Sequence, residues 1–458
     1  MRKASWFRVT VLLFLVPAAA VGLTPLLSSA KSSSQDRNWP QWRGPQSTGA
    51  ALEGNPPVEW GEDKNVRWKV EIPGRGLSTP IIWGNRVFVT TSVETDKPVD
   101  PKKLEETQED LPSWRRGRGV TPSKVLEFVV MAIDRRDGKI LWRRSLREAA
   151  PHEGTHTTAS WASNSPATDG KYLIAHFGSN GIYGLDTKGT LKWERDLGDM
   201  RTRNGFGEGS SVVIHDDTVI LNWDHEGQSF IIALHKKTGK TLWKADRDEV
   251  TSWSTPIVVR HDGKPQVVIN ATGRTRSYDL ATGRLVWEAA GMTVNTIPSP
   301  VSADGRVYVM SGFRGNALQA IDLASAKGNI TDSPAIAWQY DQDTPYVPSP
   351  LLYHDRIYFL KHIKGILSCF DAKTGEAHYG PQRLEGIESV YASPVAAAGR
   401  VYIAGRSGTT VVIKDGPGFE ELARNTLDDS FDASPAIAGD ELYLRGHKHL
   451  YCLAEDGS

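Results

Sequence analysis

Short alternations of apolar and polar residues, separated by clusters of turn formers, run along most of this chain. In the stretch that begins at Ser254, Pro256-Ile257-Val258-Val259 reads as a strand, His261-Asp262-Gly263-Lys264 as a turn and Gln266-Val267-Val268-Ile269 as the returning strand. Arg276-Ser277-Tyr278-Asp279 supplies a third strand, Ala281-Thr282-Gly283 a second turn and Leu285-Val286-Trp287 a fourth strand. Alternation with period two, broken by Gly and Asp, predicts a small antiparallel sheet. The unit then repeats. Its head, Ser-Pro or a close variant, occurs at Thr79-Pro80, Ser165-Pro166, Ser211-Val212, Thr255-Pro256, Ser299-Pro300, Ser349-Pro350, Ser393-Pro394 and Ser434-Pro435. Successive copies are 86, 46, 44, 44, 50, 44 and 41 residues apart. Four short strands per unit at a period near 44 predict an all-β, eight-bladed β-propeller of four-stranded antiparallel blades.

A second pattern sits at the turn between the third and fourth strands. Asp134, Gly138 and Trp142 share their spacing with Asp279, Gly283 and Trp287. Asp186-Gly189-Trp193 is shorter, His235-Gly239-Trp243 replaces the Asp, and Asp371-Gly375-Tyr379 replaces the Trp. The fifth copy keeps Asp322 but inserts residues before Trp338, and the seventh retains only Lys414-Asp415-Gly416. Gly supplies the positive φ of a tight hairpin and Asp accepts bonds from backbone donors across it. Trp142, Trp193, Trp243, Trp287 and Trp338 are expected to wedge each blade against its neighbour.

The eighth copy stops one strand short, at Ser458, while Asn65–Ile72 near the other end is an orphan strand with its own Trp68. Pairing the two closes the ring and removes an exposed edge. The propeller is therefore placed at 65–458, preceded by an extension at 31–64. Residues 1–30 read as a secretory signal peptide, or an uncleaved anchor: Arg2, Lys3 and Arg8, then an apolar run, then Ser28-Ser29-Ala30.

Composition narrows the function classes. Lys plus Arg equals Asp plus Glu at 54 each, so no global field draws nucleic acid. The two cysteines, Cys369 and Cys452, hold the same third-strand position two copies apart, too distant for a disulfide. Both are expected to be buried free thiols.

The Asp…Thr-Gly…Trp repeats resemble the pyrroloquinoline-quinone-like β-propeller superfamily from Val66 to Ser458. Asn38-Trp39-Pro40-Gln41-Trp42-Arg43-Gly44-Pro45 resembles the start of mature exported members. The resemblance implies one of two groups. One contains quinoprotein alcohol and sugar dehydrogenases; the other contains non-catalytic propellers, including the lipoprotein of the outer-membrane β-barrel assembly machinery. The chain has no adjacent Cys-Cys pair and no Cys-x-x-Cys-His for a c-type haem. The lipoprotein's acylated cysteine is also missing.

In a propeller, the loops that lead into the innermost strands gather at one channel mouth. Here they carry Trp253 and Tyr391 to stack a planar or sugar ligand and Asp432 to hold a cation or hydroxyls. Trp161, Glu208, Asn295 and Tyr346 lie beside them, and the longest loop, Pro151–Trp161, adds His156. His152 and His156 are four apart, but Pro151, Gly154 and three Thr favour a hydrogen-bonded loop pair over a metal site. The glycine-rich 204–210 stretch lacks a following helix and reads as an inter-blade connection, not a phosphate cradle. A charged insertion at 94–125 in blade one offers Trp114, Arg115 and Arg116 as a docking arm.

These features predict an exported, non-catalytic scaffold in the periplasm or cell envelope. It is expected to be a monomer, peripherally associated or anchored, that binds a protein partner, with no catalytic set, metal or cofactor. The alternatives are a quinoprotein oxidoreductase using pyrroloquinoline quinone (PQQ) and calcium at a divergent channel site, and a glycan-binding propeller.

Overall fold

The computed structural model describes Met1, 37–103, 105, 113, 116 and 119–455. Apart from Met1, the signal or anchor read at 1–30 lies outside the described residues, as do Trp114 and Arg115. Arg116 is described and is exposed.

Eight sheets follow one another along the chain, each built on a four-stranded antiparallel meander; seven take all four strands from one stretch of sequence and the eighth borrows its outer strand from the other end. The fourth is representative: Ile257–His261, Lys264–Ile269, Thr275–Asp279 and Leu285–Ala289. In the eighth, Ala436–Ala438, Glu441–Arg445 and His449–Leu453 are completed by Val66–Glu71, with Trp68 opposite Cys452 and Lys69 opposite Tyr451. The predicted closure is what the structure shows.

The Ser-Pro heads form a second closure at the axis. Thr79 N–H donates to Ser165 Oγ, Ser165 N–H to Ser211 Oγ and Ser211 N–H to Thr255 Oγ1, each at 2.9 Å. The relay continues through Ser299, Ser349, Ser393 and Ser434 at 2.9–3.1 Å. Each hydroxyl thus satisfies a backbone donor of the preceding blade, and all but Ser211 stand beside a proline that has no N–H of its own.

At the periphery the Asp-Gly-Trp pattern works between blades. Asp279 Oδ1 accepts from Thr282 N–H at 2.9 Å and from Thr282 Oγ1 at 2.7 Å, which tightens the turn. Gly283, at φ +71°, then lies flat against Trp243 of the preceding blade, so close that a Cβ there would come within 2.5 Å of the indole. Trp243 Nε1 donates to Leu280 O at 2.8 Å. Trp68, Trp142, Trp193 and Trp338 meet Gly138, Gly189, Gly239 and Gly375 in the same way.

Trp287 is docked differently. The insertion in blade five covers it completely, laying Gly328–Asn329 as a fifth, parallel strand on blade four. At the last seam, where blade seven lacks a Trp, Trp60 of the extension stacks on Tyr402 at 6.3 Å and donates its backbone N–H to Asn425.

Residues 39–43 of the extension occupy the channel. Trp39 pairs with Ile82 of blade one and Pro40 O accepts from Thr168 N–H of blade two. Trp42 Nε1 reaches Ser299 Oγ at 3.1 Å. The Arg43 guanidinium, almost fully buried, bonds Pro394 O at 2.7 Å and Pro350 O at 2.8 Å. Residues read as an extension therefore bridge blades across the axis.

The insertion in blade one lengthens its middle strands to Arg86–Pro98 and Lys124–Asp134. Its return leg pairs with the longest mouth loop through mutual 2.9 Å bonds between Val120 and Thr155. Cys369 and Cys452 are buried free thiols in third strands, and burial pushes both up to about 12.

Candidate functional site

Trp42 and the hydroxyl relay floor a blind funnel of about 400 Å³. Leu77, Ile297 and Val347 line it at the same repeat position as Trp253 and Tyr391, and Phe206, Phe313 and Tyr346 add further aromatic wall. The aromatic faces hold one another. Phe313 stacks on Tyr346 at 4.6 Å, Phe206 meets His156 edge-on at 5.3 Å, and Trp253 Nε1 donates to Gly207 O at 2.6 Å.

Six of the expected residues line the funnel together: His156, Glu208, Trp253, Tyr346, Tyr391 and Asp432. Two do not. Trp161 donates to Glu153 O at 3.0 Å and lines a neighbouring void. Asn295 is buried behind the wall, in a left-handed turn at φ +57°. Sequence reasoning passed over Trp42, Phe206 and Phe313. A lone aromatic within a Gly-rich or polar loop is the signal they share.

The polar groups at the mouth already have partners. Asp432 accepts from Arg406 Nε at 2.5 Å and Nη2 at 3.2 Å, and from His447 Nε2 at 3.0 Å. Burial disfavours the Asp432 carboxylate, but the His447 and Arg406 bonds outweigh it and hold its pKa below the ordinary value. Arg406 also lies 4.1 Å from the Tyr391 ring centroid, a cation–π contact. His156 Nδ1 accepts from Thr158 Oγ1 at 2.8 Å.

His152 and His156 make separate contacts rather than a pair. His152 Nε2 donates to Met200 O at 2.7 Å, and His152 clusters with Glu153 and Glu208. One ligand atom from each of the three lies within 4.8 Å of the others. Glu208 accepts from Ser179 N–H at 2.8 Å and Oγ at 2.5 Å. Glu153 accepts from Thr202 Oγ1 at 2.6 Å and N–H at 3.1 Å. Burial pushes Glu153 up to about 7 and raises Glu208. Burial opposes charging His152, yet the Glu208 and Glu153 carboxylates prevail and raise it.

Comparisons with known proteins agree with this architecture. The chain resembles BamB of Yersinia pestis, 23% identical over 327 residues that cover 61% of this chain and 78% of that one. It is 26% identical over 141 residues to methanol dehydrogenase [cytochrome c] subunit 1 of Methylorubrum extorquens, covering 26% of this chain. That match spans only 22% of the dehydrogenase subunit. Quinohemoprotein alcohol dehydrogenase from Comamonas testosteroni shares the fold, with a TM-score of 0.63 at 10% identity over 92% of this chain and 81% of that one. The family profile described as outer membrane protein assembly factor BamB matches residues 57–228 and 227–457, nearly the whole ring, and the chain belongs to that family of PQQ-like propellers.

Proposed function

We propose that this protein is an exported, non-catalytic scaffold of the cell envelope, acting as a monomer whose funnel mouth receives a segment of a protein partner. One observation carries the reading: the mouth presents open aromatic faces while His156, Glu208 and Asp432 are each held by other side chains. Aromatic walls around a concavity of this size bind by area and shape, and groups already engaged are poorly placed to move protons. The family match supports an assembly role, and the blade-one insertion clamped at Val120 extends the surface beside the mouth.

The scaffold is proposed to work without a resident quinone. A planar tricarboxylate needs cationic partners, and Arg406 at the mouth is already bonded to Asp432. The test has two arms. Photo-crosslinking from position 346 in intact cells is expected to give a discrete protein adduct, lost in Trp253→Ala. Adding PQQ with calcium to the purified protein is expected to give neither a bound-quinone spectrum nor dye reduction with alcohols or aldoses. Stoichiometric quinone binding with turnover would overturn the scaffold reading in favour of the oxidoreductase.

A further inference from the structure

We propose that His152, Glu153 and Glu208 bind one divalent transition-metal ion of the zinc class at the rim of the funnel. The three side chains come from two loops that sequence separates but the ring brings together. Two carboxylates converge there, and among the described residues neither is ion-paired with a lysine or arginine. Adjacent, partly desolvated carboxylates without a cation are costly. A dication bound by both, with a neutral imidazole, cancels their charge. A nitrogen in the set favours zinc-like ions over calcium or magnesium, which take oxygen.

The surrounding structure is that of a built site. Each candidate ligand is oriented by a further group: His152 by Met200 O, Glu153 by Thr202 and Glu208 by Ser179. Donation from Nε2 leaves Nδ1, which has the exposed Asp199 carboxylate 3.9 Å away, as the neutral imidazole's lone-pair nitrogen, and such supports are what ligating side chains require. A void of about 10 Å³, the room one water or ion takes, is lined by these three residues with Asn164, Asn180 and Ser160. Glu208 and Gly207 line both this void and the funnel, so the two adjoin. Ligand atoms around zinc at ~2.1 Å sit about 3.4 Å apart. Closing from separations of up to 4.8 Å requires only side-chain adjustment.

The experiment uses the full chain, stripped with a chelator and titrated calorimetrically with zinc chloride, with cobalt as an absorbing probe. One equivalent is expected to bind, and the thermal midpoint is expected to rise with zinc concentration. Glu208→Gln should bind at least ~100-fold more weakly, whereas His156→Ala, which changes only the neighbouring imidazole, should bind as the parent does. The midpoint readout needs no variant to fold. A parent protein with no one-equivalent binding and no midpoint shift, or a Glu153→Gln/Glu208→Gln variant that binds equally well, overturns the site. Saturable binding of calcium but not zinc overturns the metal class.

Discussion

Thr79 Oγ1 donates to the carbonyl of Ser434 at 3.1 Å, across 355 positions of sequence. This contact joins the first blade to the last at the axis, just as Val66–Glu71 joins them at the periphery. The ring is thus closed twice, and the inner closure is built from the hydroxyls that head every blade. Removing one leaves a buried backbone N–H without an acceptor. Ser299→Ala should be the most costly, because Ser299 Oγ meets both Thr255 N–H and Trp42 Nε1. A loss of roughly 1–3 kcal/mol is expected in urea unfolding. Ser211→Thr, which copies Thr79 and Thr255, should cost much less.

The inter-blade glycines allow a paired test. Gly283 and Gly263 have nearly the same backbone, φ +71° and +73°. A Cβ at Gly283 would strike Trp243, and one at Gly263 meets nothing within 4 Å. Gly263→Ala should therefore report only the cost of a left-handed residue, ~1 kcal/mol. Gly283→Ala should lose a further ~1–3 kcal/mol from overpacking. Equal losses in the two denaturation midpoints would show that Trp243 moves freely, contrary to its role as a wedge.

Blade count, strand order and closure were legible because they rest on local chemistry repeated eight times. A turn needs Gly283 whatever lies around it, and an unpaired strand at Trp68 must find an edge. The mouth ring was legible for the same reason, since a fixed offset from each Ser-Pro locates Trp253, Tyr391 and Asp432. Trp42 was not, because its place depends on where an aperiodic segment threads, and nothing near it in sequence names Ser299. The metal-like cluster failed similarly. His152 invited pairing with His156 at a helical spacing, whereas its neighbours in space are Glu153 and, from the next inter-blade loop, Glu208. Trp287 obeyed the repeat in position but not in partner, because the blade-five insertion replaces the glycine turn that would have covered it.

Arg43 is the keystone of the aperiodic segment. Its guanidinium bonds the carbonyls of Pro350 and Pro394, which head blades six and seven. Both carbonyls lie at the channel wall, where a lost donor is not easily replaced. Arg43→Ala should lower stability by ~2–3 kcal/mol and open the floor of the funnel. Arg43→Lys should fail to rescue it, because an ammonium presents a point charge and cannot span two carbonyls in a fixed plane. Limited proteolysis of residues 37–51 reads the detachment directly; a segment equally protected in both variants would show that Arg43 does not hold it.

His176 should govern part of the acid limb of stability. Its ring is buried against Trp223, and Nδ1 accepts from Gly178 N–H at 3.2 Å, which only the neutral imidazole can do. Burial lowers its pKa from 6.5 to about 3. Above pH 6.5 the folded and unfolded chains bind the same number of protons at this residue, and it adds no pH dependence. Between pH 6.5 and 3 the unfolded chain takes up a proton that the folded chain refuses, so stability falls as pH falls. The slope from this group approaches ~1.4 kcal/mol per pH unit. His176→Gln keeps an acceptor for Gly178 but cannot titrate. Its unfolding free energy should start lower than the parent's at pH 7.5, and the gap should narrow or invert by pH 4.5. Glu153, raised to about 7, acts in the opposite sense in both proteins and cancels in the comparison. Parallel stability curves for the two proteins would mean that His176 titrates in the fold as it does in the unfolded chain.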